Sequence, residues 1–313
     1  MLSRILWPSL AGPALGVAMM LMGASSATSQ ASPRVVATIK PLHSLVASVM
    51  AGSGIPDLMI KGAETPHTFS LTPSGARQLE RADLVFMIGG GLEPWLSNAV
   101  RTLVKKARII ELISVPGVQR LAVRLPDSHQ PGGHGNSDDH QSDPHIWLDP
   151  INAKAMVTAI GKALTQVDTF NEPLYGRNSA ELLGALDSLS ASLNVRLGNV
   201  VKKPFFVYHD AFQYFEKHLG LNASGAIIRG FETRPGVRRI REIRQRMAAL
   251  GPVCIFREPG FPSKLIQTIT VGLAARVAII DPLGTDFLPG PSHYFNMMRH
   301  NSNVFANCLG RDK

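Results

Sequence analysis

Cysteine is nearly absent: Cys254 and Cys308 are the only two in 313 residues. Neither lies near the N-terminal apolar segment, so no thiol is placed there to carry a lipid anchor. Long apolar runs are also missing after the first thirty or so residues, and no later stretch is long enough to span a bilayer. The one dense basic run, "RPGVRRIREIRQR" from Arg234 to Arg246, has no aromatics interleaved, which argues against nucleic-acid binding. Neither H-E-x-x-H nor G-x-S-x-G occurs, so the common signatures of zinc and serine hydrolases are absent. Acidic residues are outnumbered 23 to 32 by lysine and arginine, for a net charge of +9.

What is present reads as an exported globular chain. The start, "MLSRILWPSLAGPALGVAMMLMGASSATSQASPR", has an early arginine, an apolar run from Ala11 to Met22 and then small residues. That is the pattern of a signal peptide, with cleavage expected after Ala31. A hydrophobic content of 45% with glycine and proline well spread suits a sizeable core, and the length suits two domains or one large one. In an oxidising compartment the pair Cys254 and Cys308 reads as a disulfide rather than two free thiols, worth roughly 4 kcal/mol by chain entropy. Arg234, Arg238, Arg241 and Arg244 recur at helical spacing and read as a solvated face, with docking to a membrane partner as the alternative.

From Pro33 onward short β-rich runs alternate with helical ones. "RVVATI", "DLMI", "DLVFMIG" and "ARIIEL" are expected strands, and "LTPSGARQLERA" a helix capped by Thr72 with Pro73 in its first turn. The rhythm stops over residues 113–144, passes into a helical stretch broken near Pro173, and resumes after Pro204 with "FFVYH", "ASGAIIRG", "VCIFREP" and "RVAIIDPLG". Such alternation implies mostly parallel sheets with flanking helices. The expected organisation is a signal peptide at 1–31, an N-terminal α/β lobe at 32–151 with a His-rich loop at 127–144, a linking helical segment at 152–202, and a C-terminal α/β lobe at 203–313.

Ligands of open α/β sheets bind beyond the carboxyl ends of strands. His209 directly follows "FFVY", Asp281 directly follows "RVAII", His67 lies in the loop after "DLMI", and His145 closes the His-rich loop. Two come from each half, so they can converge between lobes. Three imidazoles and a carboxylate form a tetrahedral set suited to Zn²⁺. His129, His134 and His140 fall in "HQPGGHGNSDDHQSDPHIWLDP", a polar stretch that offers a secondary, weaker metal site or merely a solvated loop. Glu258, at the end of "VCIFRE", is placed to orient a ligand histidine. His43, His218, His293 and His300 are read as structural or surface residues.

Nearly all of the mature chain resembles the periplasmic metal-binding proteins of ABC importers, the cluster A-I solute-binding family, and within it the zinc-uptake (ZnuA) type. The resembling stretches are "ATIKPLHSLVASVM", "ETPHTFSLTPS", "ADLVFMIGGGLEPWL", "DPHIWLDP", "YHDAFQYF", "RPGVRRIREI", "REPGFPSKLIQTI" and "DPLGTDFLPGPSHYFNMM". The resemblance implies two α/β lobes joined by a long rigid helix, with the metal between them. It implies His67, His145 and His209 as ligands, with Asp281 as the acidic residue of the cleft and Glu64 or a loop histidine as a substitute. Manganese-type members carry glutamate where this chain has His209, and imidazole suits zinc while manganese prefers oxygen. The implied role is capture of Zn²⁺ by a monomer and delivery to a membrane permease. The rivals are a manganese- or iron-binding member of the same family, a secreted zinc hydrolase using Glu64, and a surface adhesin or metal buffer.

Overall fold

A computed structural model describes residues 32–104, 106–124, 142–228, 235–261 and 263–310. The expected signal peptide, Arg234 and the loop histidines His129, His134 and His140 lie outside the described residues. The eight strands read from the sequence all form. In the first half β1 (Val35–Ala37), β2 (Asp57–Leu58), β3 (Leu84–Met87) and β4 (Arg108–Glu111) make a parallel sheet of order β2-β1-β3-β4. In the second half β5 (Pro204–Val207), β6 (Asn222–Ala226), β7 (Val253–Arg257) and β8 (Ala275–Ile279) make another, of order β6-β5-β7-β8 and again parallel throughout. In both sheets the order reverses beside the first strand of the half, and crevices for ligands open at the carboxyl ends of strands around such points.

The helices fall where caps and periodicity put them. In the first half these are α1 (Lys40–Val49), α2 (Pro73–Arg81) and α3 (Pro94–Leu103). Thr72 Oγ1 accepts the Gly75 amide at 3.1 Å, satisfying one of the amides that the first turn of α2 leaves without a helical partner. The connector is two helices rather than one. The first, α4 (Pro150–Val167), ends at Asp168, which accepts from the Asn171 amide and the Tyr175 hydroxyl. The second, α5 (Glu172–Leu197), has Pro173 in its first turn, where a missing amide costs nothing. Its 26 residues span about 39 Å at 1.5 Å per residue. The second half adds α6 (Gln213–Leu219), α7 (Val237–Leu250), α8 (Ser263–Thr270) and α9 (His293–Leu309).

Alternation along the second sheet separates two cores. Phe205, Val207, Cys254 and Phe256 face a large core that continues through α4, α5 and α9 to both faces of the first sheet's surroundings, including Leu42, Phe86, Trp147 and Leu186. Phe206, Tyr208, Val253 and Ile255 face a smaller core under α7 and α8 with Ile243, Met247, Ile266 and Ile269. α9 belongs to the second half by chain order, yet it packs on α1 and α5 as well as on β7 and β8, burying Tyr294, Met297, Met298 and Phe305. Cys254 and Cys308 form the expected disulfide and bind β7 to the end of α9.

The basic run behaves differently from the solvated face read in the sequence. Arg238 is exposed and pairs with Glu242 four residues on. Arg244, however, donates to the Ile269 and Val271 carbonyls at 2.6 and 2.8 Å, capping the end of α8, and Arg239 donates to the Ala226 carbonyl at 2.7 Å. Guanidinium groups reach the carbonyls that helix and strand ends leave open, so part of this positive charge is structural. No helix of the described residues is long and apolar enough to cross a membrane.

Candidate metal centre

Three of the histidines singled out in the sequence meet. His67 comes from the loop between β2 and α2, His145 from the turn before α4, and His209 from the end of β5. One ligand atom from each lies within 4.8 Å of the other two, and among the described residues this is the one group of three or more His, Cys, Asp or Glu side chains so arranged. Their ring centroids are 5.1–5.8 Å apart. They line a cavity of about 140 Å³ together with Trp147, Glu258, Phe261, Asp281 and Thr285.

Each imidazole is held by its neighbours. His145 and His209 are 3% and 6% exposed, so their orientation is set by the protein and not by water. Asp143 Oδ1 stands 2.7 Å from His145 Nδ1 and also accepts the His145 amide at 3.0 Å. Glu258 Oε1 stands 2.9 Å from His209 Nδ1. A carboxylate has no proton to give, so in both pairs Nδ1 donates and Nε2 is left as the lone-pair nitrogen for a cation. The His67 loop is pinned from α3: Trp95 Nε1 donates to the Pro66 carbonyl at 3.0 Å, and its ring leans on Phe69 with centroids 4.8 Å apart.

Electrostatics differ between the rings. Burial pushes the His67 imidazole far below its ordinary value, the adjacent His145 and His209 rings push the same way, and a hydrogen bond to the Gly91 backbone opposes them only in part. His209 goes the other way. Burial alone would lower it, but the charge and hydrogen bond of Glu258, with Asp210 and Asp143 behind, raise it above its ordinary value. The turn that carries Gly91 is itself organised by Glu93, fully buried, which accepts from Gly89 N at 2.9 Å, Ile88 N at 3.1 Å and Thr38 Oγ1 at 2.5 Å. Burial pushes its carboxyl up to about 7 against those hydrogen bonds.

Asp281 lines the cavity but does not join the group of three. Its Oδ1 accepts the Leu283 amide at 2.9 Å, and its Oδ2 accepts both the amide and the hydroxyl of Thr285 at 2.6 Å. Glu64 is exposed and is not among the residues lining the cavity. Of the histidines left aside, His218 bridges Ser190 Oγ at 2.8 Å and Asp149 Oδ1 at 3.0 Å, tying α6 to α5 and to the start of α4.

Two residues of the site's surroundings escape the sequence reading. Asp143 reads there as part of the polar loop, but it is 3% exposed and fixes His145. The signal was its place two residues before the histidine, where an aspartate side chain folds back on the local amides. Arg124 carries no sequence signal. Its guanidinium binds Asp210 through Nε and Nη2 at 3.0 and 2.6 Å and Glu216 through Nη1 at 2.7 Å. Alongside it, Tyr214 Oη accepts the Leu121 amide at 2.9 Å and donates to the Asp143 carbonyl at 2.8 Å. The segments before and after residues 125–141 thus clasp α6 and the residue that follows His209. Across the cleft, Trp147 Nε1 donates to the Pro282 carbonyl at 2.7 Å.

The Glu258 pair gives a direct test. Glu258→Gln keeps an acceptor for Nδ1 but removes the charge, and Glu258→Ala removes both. Cation affinity at neutral pH is expected to drop by about tenfold for Gln and up to about a hundredfold for Ala, the usual range for partners of ligand histidines. Chelator competition reads this, and unchanged affinity in both variants would show that Glu258 does not act on the site.

The family described as zinc-uptake complex component A, periplasmic (ZnuA), matches residues 35–308. The chain is 33% identical to a high-affinity zinc uptake system protein ZnuA of Brucella suis over 306 residues, covering 88% of this chain and 92% of that protein. A crystal structure of a ZnuA superposes with a TM-score of 0.75 at 22% identity, covering 89% of this chain and 99% of the other. The solute-binding protein FpvC of Pseudomonas aeruginosa in complex with Mn²⁺ superposes at 0.76 with 18% identity, covering 90% and 99%.

Proposed function

As the chain belongs to the ZnuA family of periplasmic zinc-uptake components, we propose that it captures Zn²⁺ in the cleft between its halves and delivers it to the membrane permease of an ABC importer. The observation that carries this reading is the trio His67, His145 and His209, with ligand atoms within 4.8 Å of one another and two of the rings fixed by carboxylates. Three nitrogen donors suit a borderline cation that accepts four-coordinate geometry. Zinc is the cargo and His67, His145 and His209 its ligands, with Asp281 as the cleft's acidic residue and His129, His134 and His140 as an auxiliary collecting site. The protein acts as a monomer in the periplasm after cleavage near Ala31, and it is a carrier, not an enzyme.

The fold does not choose the metal, since a manganese-bound relative shares it. The donor set favours zinc over manganese because manganese prefers carboxylate and water oxygen. The hydrolase reading rests on an acid/base group beside the metal, and the exposed Glu64 does not line the cavity.

Zinc titration against a competing chelator, with hydrolysis assayed on the same sample, tests the proposal, and pH sharpens it. Imidazoles bind zinc only when neutral. His67 is held low and stays neutral throughout, whereas His209 is raised and takes up a proton at higher pH than a free imidazole does. Apparent affinity is therefore expected to start falling while pH is still above the free-histidine value of about 6.5, by about tenfold per pH unit from His209 alone. Removing the charge in Glu258→Gln should move that onset to lower pH. Zinc binding that is flat from pH 8 to pH 5 would exclude a histidine site.

A further inference from the structure

Asp281 stands at the carboxyl end of β8 and lines the same cavity as the three imidazoles, so its carboxylate is the obvious fourth donor. It is turned instead into its own loop. Three hydrogen bonds hold it there, from Leu283 N at 2.9 Å and from Thr285 N and Oγ1, both at 2.6 Å. The short pair on Oδ2 occupies the electron density that a cation would draw on, since an oxygen accepting two donors is a weaker ligand.

The loop that does this is fixed from several sides. Asn301 on α9 brackets the Asp281 backbone, accepting its amide and donating to its carbonyl at 2.8 Å each. Gly284 has φ of +63°, and a Cβ there would lie 2.9 Å from Met297 Cβ, so the turn between Asp281 and Thr285 is tight and tolerates only glycine. From the other half, Lys40 at the start of α1 is 7% exposed and donates its Nζ to the Thr285 carbonyl at 2.7 Å. That bond fixes the Thr285 backbone, whose amide is one of the donors to Asp281.

Building on the zinc-site reading above, we propose that Thr285 determines selectivity by withholding the Asp281 carboxylate from the cargo ion, which leaves a three-nitrogen site with one open position. The chemistry follows from donor type. Three imidazoles and an exchangeable position suit zinc; a fourth, anionic oxygen, which zinc also accepts, would narrow its lead over manganese and magnesium, which want more oxygen. An open position also admits an incoming ligand, so the ion remains exchangeable for hand-over.

Co²⁺ is the probe, because its visible spectrum reports the ligands around it. In the wild-type protein and in Thr285→Ser, added thiocyanate is expected to enter the open position and change the Co²⁺ spectrum. In Thr285→Val, which loses the hydroxyl donor, Asp281 should fill that position: thiocyanate should leave the spectrum unchanged, and Mn²⁺ affinity relative to Zn²⁺ should rise about tenfold, the equivalent of one hydrogen bond to a charged group. Adding Asp281→Ala to Thr285→Val should restore the thiocyanate response. Thermal unfolding of each variant shows that the folded protein is being read. A Thr285→Val protein with the wild-type thiocyanate response and metal preference overturns the proposal, as does a double variant that stays unresponsive. If His209→Ala binds Co²⁺ and Zn²⁺ as tightly as the wild type does, the zinc-site reading itself fails and takes this proposal with it.

Discussion

Replacing His209 by alanine is expected to lower zinc affinity by more than about a hundredfold, beyond the 10–100-fold range seen when only the partner of a ligand histidine is lost. Three nitrogens within 4.8 Å of one another leave no spare donor of the same kind. The loss also strands Glu258, whose Oε1 stands 2.9 Å from the ring, as a carboxylate with no imidazole to hold. Chelator competition on the folded variant measures the effect, and zinc held as tightly as in the wild type would remove His209 from the site. His209→Glu makes the finer point, because it exchanges nitrogen for oxygen without emptying the position. Zinc should weaken and manganese should gain on it, in keeping with their donor preferences.

The second large effect is on stability. Arg124 neutralises two carboxylates at once, Asp210 at 2.6 Å and Glu216 at 2.7 Å, and Glu216 is 4% exposed. Arg124→Ala leaves both in a low-dielectric setting with nothing opposite, a situation that costs about 3–5 kcal/mol when one partner of a buried ion pair is removed. For a chain of this size that corresponds to a melting temperature lower by about 10 °C. Thermal unfolding of the metal-free protein checks it. Adding Asp210→Asn and Glu216→Gln should recover much of the loss, since the penalty lies in the stranded charges rather than in the missing side chain. A single variant that melts with the wild type would show that the guanidinium is not balancing buried charge.

The two tests differ in how far the sequence anticipates them. His209 could be found without a structure, because "FFVY" is an apolar β run and a histidine at its carboxyl end sits where such sheets bind ligands. The same logic finds Asp281 and the strands themselves; in β1, β3, β5 and β7 the apolar runs are continuous because both faces are covered, whereas in β8 Val277 and Ile279 are exposed. Arg124, Asp210 and Glu216 carry no such pattern. They are ordinary charged residues until the chain brings positions 86 and 92 residues apart into contact. Thr285 is silent for the same reason: its role depends on which way one carboxylate points. The break at Asp168 is legible only in part, because Pro173 marks a helix start without saying that the preceding helix turns back. The packing of α9 on α1 was not legible, since amphipathic periodicity tells that a face is covered and not by what.

That last packing sets the order in which the molecule can be completed. Protein chains are made from the N-terminus, and among the described residues α1 is the first helix and α9 the last. The hydroxyl of Ser44 on α1 accepts the Tyr294 amide of α9 at 3.0 Å, a contact spanning 250 positions. Until residues 293–309 emerge, α1 can pack on α4 and α5 but lacks the cover that α9 gives, and Cys254 has no Cys308 to meet. A nascent chain halted before residue 293 would therefore display the surface that aggregation and chaperones both recognise. Completion of both the α1 packing and the disulfide thus waits on α9.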